Sequence, residues 1–106
     1  MLGVTFKRDV PDERYSPAVK IIELLQRRGV EVVYHDRYVP ALAVNGHTLV
    51  SQPLSSHAVA AYDGVIIATD HTTVDYQWVV DHARLIVDLR NATAGVVRGR
   101  ERIIKL

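Results

Sequence analysis

The sequence predicts an α/β fold, a three-layer domain in which a mostly parallel sheet is flanked by helices. Three observations carry this. Short β-branched apolar runs alternate with amphipathic helical segments. The central run, Gly64-Val65-Ile66-Ile67-Ala68, is apolar throughout rather than alternating, as strands buried on both faces are. The chain has 106 residues, 48% of them apolar, which suits one domain with its own core.

Residues 2–6 read as a buried first strand. Residues 9–15 are polar around Pro11 and predict a loop. Ser16-Pro17 marks a helix start, because a serine hydroxyl caps free amides and proline fits the first helical position. Val19, Ile21, Ile22, Leu24 and Leu25 supply its apolar face. Arg27 and Arg28 suit the negative end of the helix dipole, and Gly29 ends it. Residues 30–34 are a β-branched second strand, completing a βαβ unit. Residues 36–40 form a loop, and Asn45-Gly46 predicts a small hairpin over residues 44–49. A short helix follows over residues 55–62, then the central strand over 64–68. Residues 72–81 predict a helix capped by Thr72 or Asp70, with Val74, Trp78 and Val79 toward the sheet. Residues 85–88 are another strand, 91–99 a loop and 102–106 a last strand.

Composition excludes several classes of function. There is no cysteine, hence no disulfide scaffold, thiolate zinc site or cysteine nucleophile in this chain. The absence also fits a reducing compartment. Basic residues number 13 and acidic residues 12, so bulk charge gives no reason to expect nucleic-acid binding. Arg98, Arg100, Arg102 and Lys105 cluster near the end, where solvated basic residues are common. No apolar run reaches the roughly 18–20 residues of a membrane span, and no signal peptide precedes the first strand. The five histidines, His35, His47, His57, His71 and His82, form no HxxxH or HxH pair, so no metal site is expected. Met1 stands directly before a strand already in progress, which makes residues 1–106 read as one domain of a longer enzyme.

The residues that could carry chemistry sit after strands. Lys7 follows the first strand, where open α/β sheets hold phosphate-bearing ligands. Its ammonium could approach a phosphate, a sugar hydroxyl or an oxyanion; the alternative is a solvated lysine. Arg14 precedes a helix start, where its charge opposes the dipole unless an anion offsets it; the alternative is a salt bridge to Asp12 or Glu13. Arg90 follows Leu85-Ile86-Val87-Asp88-Leu89 and could clamp a phosphate or a uracil carbonyl, with Asp88 orienting or neutralising it. His71 could serve as a general base, with no partner assignable. The GxGxxG fingerprint is absent, so the chain is Rossmann-like without a pyrophosphate loop of its own.

The run Leu2-Gly3-Val4-Thr5-Phe6-Lys7-Arg8-Asp9-Val10-Pro11-Asp12-Glu13-Arg14-Tyr15-Ser16-Pro17 resembles the "LGLxxKxxxxDxRxSP" segment of nucleotide-sugar dehydrogenases, the UDP-glucose/GDP-mannose dehydrogenase family. Val33-Tyr34-His35-Asp36-Arg37-Tyr38-Val39, Val65-Ile66-Ile67-Ala68-Thr69-Asp70-His71 and Ile86-Val87-Asp88-Leu89-Arg90-Asn91 resemble later segments of the same domain, in order. Tyr15 stands where the family often has Glu, and the ending after Asn91 is unusual. The resemblance implies the C-terminal, UDP-sugar-binding domain of a cytoplasmic enzyme that oxidises the C6 alcohol of a nucleotide sugar with NAD. It also implies an N-terminal NAD-binding domain, a catalytic cysteine and a dimer-forming helix, none of them in this chain, so that this piece alone should be inactive. By the same resemblance, Phe6 and Lys7 match positions that contact the nucleotide sugar, Arg90 one that contacts its nucleotide, and Arg14 one that reaches the NAD pyrophosphate. Thr69-Asp70-His71 looks more like enzymes acting on UDP-N-acetylhexosamines than on UDP-glucose. A non-catalytic α/β module, kept for ligand binding or oligomer contacts, is the competing expectation.

Overall fold

Helix α1 (Pro17–Arg27) shows how local chemistry sets boundaries in this chain, whose computed structural model describes residues 1–106. Ser16 is extended, and its hydroxyl accepts the Ala18 amide at 3.2 Å. At the far end Gly29 takes φ 84. The Gly29 amide bonds to the Gln26 carbonyl and the Val30 amide to the Leu25 carbonyl, both at 3.0 Å, which closes a Schellman motif.

The expected hairpin forms as β1 (Ala41–Val44) and β2 (His47–Val50), with Val44 paired to His47. Asn45 at φ 50 and Gly46 at φ 78 make the turn with the handedness that suits twisted strands. The short helix α2 (Ser56–Ala61) is capped by the Ser55 hydroxyl on the Ala58 amide at 3.1 Å. Strands β3 (Val65–Ile67), β4 (Ile86–Asp88) and β5 (Ile103–Lys105) pair in parallel in that order. A single 3₁₀ turn, Arg100–Arg102, leads into β5.

Two expected strands are cut short. The first, over residues 2–6, keeps only Leu2 in the sheet, bridging in parallel to His35 on one side and Ile67 on the other. Gly3 ends it by turning to φ 79. A Cβ there would lie 2.5 Å from the Thr69 Cβ and 2.7 Å from the Thr69 carbonyl oxygen, so only glycine fits. The Val4 amide then leaves the ladder for the Asp36 carboxylate, at 2.8 Å. The second, over residues 30–34, runs alongside but pairs only at its end, through Val33 and His35. The expected helix over residues 72–81 begins later, as α3 (Tyr76–His82). Its cap is Asp75, which accepts the Trp78 amide at 3.1 Å, because Thr72 is held by Asp9 instead.

Taking these rows together, the sheet runs 33–35, 1–3, β3, β4, β5. In chain order that is 2-1-3-4-5, and the order reverses between residues 1–3 and β3. Open α/β sheets bind ligands outside the carboxyl ends of their strands at such a reversal. Two clusters fill the core. Leu2, Val65, Ile67 and Ile86 pack with Val59 of α2 and Val79 and Val80 of α3. Val4, Tyr34 and Ala68 pack with Ala18 and Ile22 of α1 and Leu42 and Val44 of the hairpin. Each buried valine, leucine or isoleucine among them contributes about 1.5–3 kcal/mol.

Candidate functional site

The loop after residues 1–3 and the loop after β3 meet at the reversal point and are bonded to each other. The Thr69 hydroxyl donates to the Thr5 carbonyl at 2.6 Å, and both threonines are buried. The Asp9 carboxylate accepts from the Thr72 amide at 2.9 Å and from its hydroxyl at 2.7 Å. These bonds from Thr72 hold the Asp9 carboxyl below the ordinary carboxylate range.

His71 is the hub beneath them, 2% exposed. The Asp9 amide donates to its Nδ1 at 2.9 Å, so in the neutral ring Nε2 carries the hydrogen. Nε2 lies 2.8 Å from the Asp36 carboxylate and 3.3 Å from the Thr5 hydroxyl. Tyr38 packs on the ring edge, and the Tyr76 hydroxyl donates to the His71 carbonyl at 3.0 Å. Burial, and then the carboxylates of Asp70, Asp88 and Asp9, push the Tyr76 hydroxyl up, so it remains a donor. With both nitrogens occupied and the ring enclosed, His71 holds loops and is not placed to serve as a general base.

Above this floor the cations gather. Arg8 donates through Nε and Nη2 to Asp70 at 3.0 and 2.5 Å. Those bonds raise the Arg8 guanidinium further above its already high value. Arg90 comes from the loop after β4 and donates through Nη2 to the Phe6 carbonyl at 2.6 Å, with Nη1 3.7 Å from Asp70. Asp88 carries that loop. It is buried and accepts from the amides of Arg90, Ala92 and Thr93 at 3.0, 3.1 and 2.9 Å, and from the Thr93 hydroxyl at 2.6 Å. Burial works to raise the Asp88 carboxyl, but the Thr93 hydroxyl and the loop amides outweigh it and hold it below the usual range. Asp88 thus orients Arg90 through its backbone, not by pairing with the guanidinium.

Phe6 is 49% exposed, an unusual placement for an aromatic ring in a polar loop. Lys7 is exposed beside it, with no acceptor for its ammonium in the chain. The structure therefore brings together Phe6, Lys7 and Arg90. It does not bring Arg14 to them. Arg14 donates to Asp12 through Nε and Nη2 at 2.9 and 3.0 Å, the local salt bridge that was its alternative reading, and its side chain is 76% exposed. The Arg14 guanidinium holds the Asp12 carboxyl down at about 2. Its neighbour Tyr15 is fully outside, at φ 61.

Sequence reasoning missed Arg8 and Asp70 as site members. Arg8 had a signal, a second cation at the same strand end. Asp70 had none, since its partners lie 62 and 20 residues away in the chain. The resulting surface carries Lys7, Arg8 and Arg90, with Arg8 paired to Asp70 and close to the Asp9 carboxylate. Its remaining positive charge suits an anion.

The model of the UDP-glucose/GDP-mannose dehydrogenase family, UDP binding domain, matches residues 1–95. Over 72 residues the chain is 32% identical to UDP-N-acetyl-D-glucosamine 6-dehydrogenase of Pseudomonas aeruginosa, covering 68% of this chain and 17% of that one. A solved derivative structure of the UDP-N-acetyl-mannosamine dehydrogenase Cap5O from S. aureus is similar with a TM-score of 0.64 and 30% identity, over 98% of this chain and 24% of that one. The chain thus spans a quarter or less of the length of these relatives. No helix is long and apolar enough to cross a membrane. With its parallel α/β sheet, its cationic corner at the reversal point and a family match over nearly its whole length, the chain belongs to the UDP-glucose/GDP-mannose dehydrogenase family, in its UDP binding domain.

Proposed function

We propose that this chain is the nucleotide-sugar-binding lobe of an NAD-dependent 6-dehydrogenase, holding a UDP-sugar, UDP-glucose or a UDP-N-acetylhexosamine, at the carboxyl edge of its sheet. The observation that carries the reading is the Arg90 guanidinium, tied to the Phe6 carbonyl and facing Asp70. It joins the loops after three strands at the reversal point. Arg90 and Lys7 would hold the nucleotide's phosphates or uracil carbonyls, and the exposed Phe6 ring offers an apolar face to base or sugar. Arg8 would join them only by loosening its hold on Asp70.

Residues 1–106 would be the C-terminal domain of a longer enzyme that works as a homodimer in the cytoplasm. NAD would be held mainly by a domain outside this chain, since no glycine-rich phosphate loop is present and the cation proposed for it, Arg14, is already paired with Asp12. The exposure of Arg14 nevertheless leaves it able to reach across a cleft to the pyrophosphate. NAD, where bound, accepts the hydride from the sugar's C6. This chain's residues bind and orient the substrate and perform no bond-breaking step, so the chain alone should show no dehydrogenase activity.

Calorimetric titration with UDP, GDP and NAD⁺ tests the reading. UDP should bind in preference to the other two, and Lys7→Ala and Arg90→Ala should each weaken it about tenfold or more, the worth of a charge-assisted bond. Equal binding of UDP and GDP, or UDP binding untouched by both substitutions, would overturn it in favour of an α/β module with another ligand.

A further inference from the structure

Three arginine–aspartate pairs of this chain are hydrogen-bonded, and one is built differently from the other two. Arg14 sets Nε and Nη2 against the two oxygens of Asp12, and Arg98 sets them against the two oxygens of Asp81. That side-by-side fork is the strongest arrangement of guanidinium and carboxylate. Arg8 sets the same two nitrogens against a single oxygen of Asp70, Oδ2. The other oxygen, Oδ1, lies 3.7 Å from Nη1 of Arg90. Asp70 is shared between two guanidiniums and completes a fork with neither.

The two arginines differ in freedom. Arg90 is anchored by Nη2 on the Phe6 carbonyl at 2.6 Å. The Arg8 guanidinium has no hydrogen-bond partner besides Asp70, and its side chain is 58% exposed against 12% for Asp70. The Asp9 carboxylate also attracts Arg8, but its oxygens are taken by the amide and hydroxyl of Thr72. Arg8 is therefore the cation that can leave, and Asp70 keeps Arg90 beside it when Arg8 goes.

We propose that Asp70 is an internal competitor of the ligand and a specificity-determining residue: it holds Arg8 in the free chain, and a diphosphate takes Arg8 from it by offering two oxygens where Asp70 offers one. An anion that cannot outbid a carboxylate, such as chloride, leaves Arg8 where it is. A phosphoryl group accepts the full fork and draws Arg8 toward Lys7 and Arg90. The proposal rests on the nucleotide-sugar reading for the identity of its ligand, but the exchange itself needs only the diphosphate.

Inorganic pyrophosphate is the probe that tests it. Its affinity is measured by NMR titration of the parent chain, Asp70→Asn, Arg8→Ala and the double variant. Asp70→Asn should tighten pyrophosphate about tenfold, and adding Arg8→Ala should remove most of that gain. In the parent chain the Arg8 Nε–H resonance should shift as pyrophosphate saturates. A gain from Asp70→Asn that is the same with and without Arg8 would overturn the proposal, because Asp70 would then only repel the anion. So would the absence of any gain, or an Arg8 resonance that stays in place at saturation. Asp70→Ser serves as a second variant with the same expected direction, and the resonance of the parent chain needs no variant at all. Pyrophosphate carries no base or sugar, so equal binding of UDP and GDP would defeat the nucleotide reading and leave this result standing. Conversely, if the exchange fails, preferential UDP binding through Lys7 and Arg90 still stands.

Discussion

Two aspartates with the same burial do different work at the carboxyl ends of their strands. Asp36 and Asp88 are each 1% exposed. The Asp88 carboxylate accepts only from its own loop, from groups no more than five residues away. Asp36 accepts from the nearby Tyr38 amide, but also from the Val4 amide and His71 Nε2, 32 and 35 residues away. Asp88 shapes one loop and thereby aims Arg90. Asp36 holds the loop of Lys7 and the loop of Asp70 to the edge of the sheet. A buried carboxylate is thus a local turn device or a keystone for the tertiary fold, depending on where its donors come from.

The sharpest way to break that comparison is Asp36→Ala. It strips buried partners from three segments at once and should cost about 3–5 kcal/mol, a large share of the roughly 5–15 kcal/mol that holds a domain of this size. Urea unfolding followed by circular dichroism reads it. If Asp88→Ala proves equally damaging, the distinction between local and long-range roles fails. Asp88→Asn is the milder change, with an expected loss of about 1–3 kcal/mol at neutral pH. Its pH dependence has a definite sign. The folded carboxyl of Asp88 titrates below its unfolded value near ~4, so its contribution is present above that value and is lost as pH falls through the lower folded one. Urea midpoints across that acid window should fall for the parent chain and flatten for Asp88→Asn.

Binding sharpens the comparison further. Because Asp88 positions the loop of Arg90, Asp88→Asn should weaken UDP severalfold in titration while leaving the Lys7 loop intact, a smaller effect than Arg90→Ala itself. The smallest effect is expected from Arg14→Ala. Its pair with Asp12 is exposed and lies outside the reach of either buried aspartate, so the unfolding midpoint should stay put and UDP affinity should change by no more than about twofold. A large loss of UDP affinity there would show that Arg14 belongs to the nucleotide site after all.

What could be read from the sequence follows the same division. The start and end of α1, the Asn45-Gly46 hairpin and the central strand were legible because each signal lies within a few residues of its effect. Lys7 and Arg90 were legible as cations following strands. The lengths of the first two strands were not, because Gly3 leaves the ladder to pass Thr69 and the Val4 amide answers to Asp36. The start of α3 was misjudged for the same reason: Thr72 had the chemistry of a cap, but a carboxylate 63 residues away had claimed it. That His71 holds loops was not legible, because the partners of its two nitrogens, the Asp9 amide and the Asp36 carboxylate, are 62 and 35 residues away.

Gly3, packed against Thr69, and Thr69, bonded to Thr5, make the loops of Lys7 and Asp70 share one backbone crossing. The two loops are therefore packed and bonded to each other at their roots. The backbone of these loops is thus ordered when the chain folds, and it is chiefly side chains such as the exposed Lys7 that a ligand has to order. An anionic ligand should associate at a rate set by diffusion and steered by charge, slowing as salt is added, and differences in affinity among ligands should appear in how long they stay.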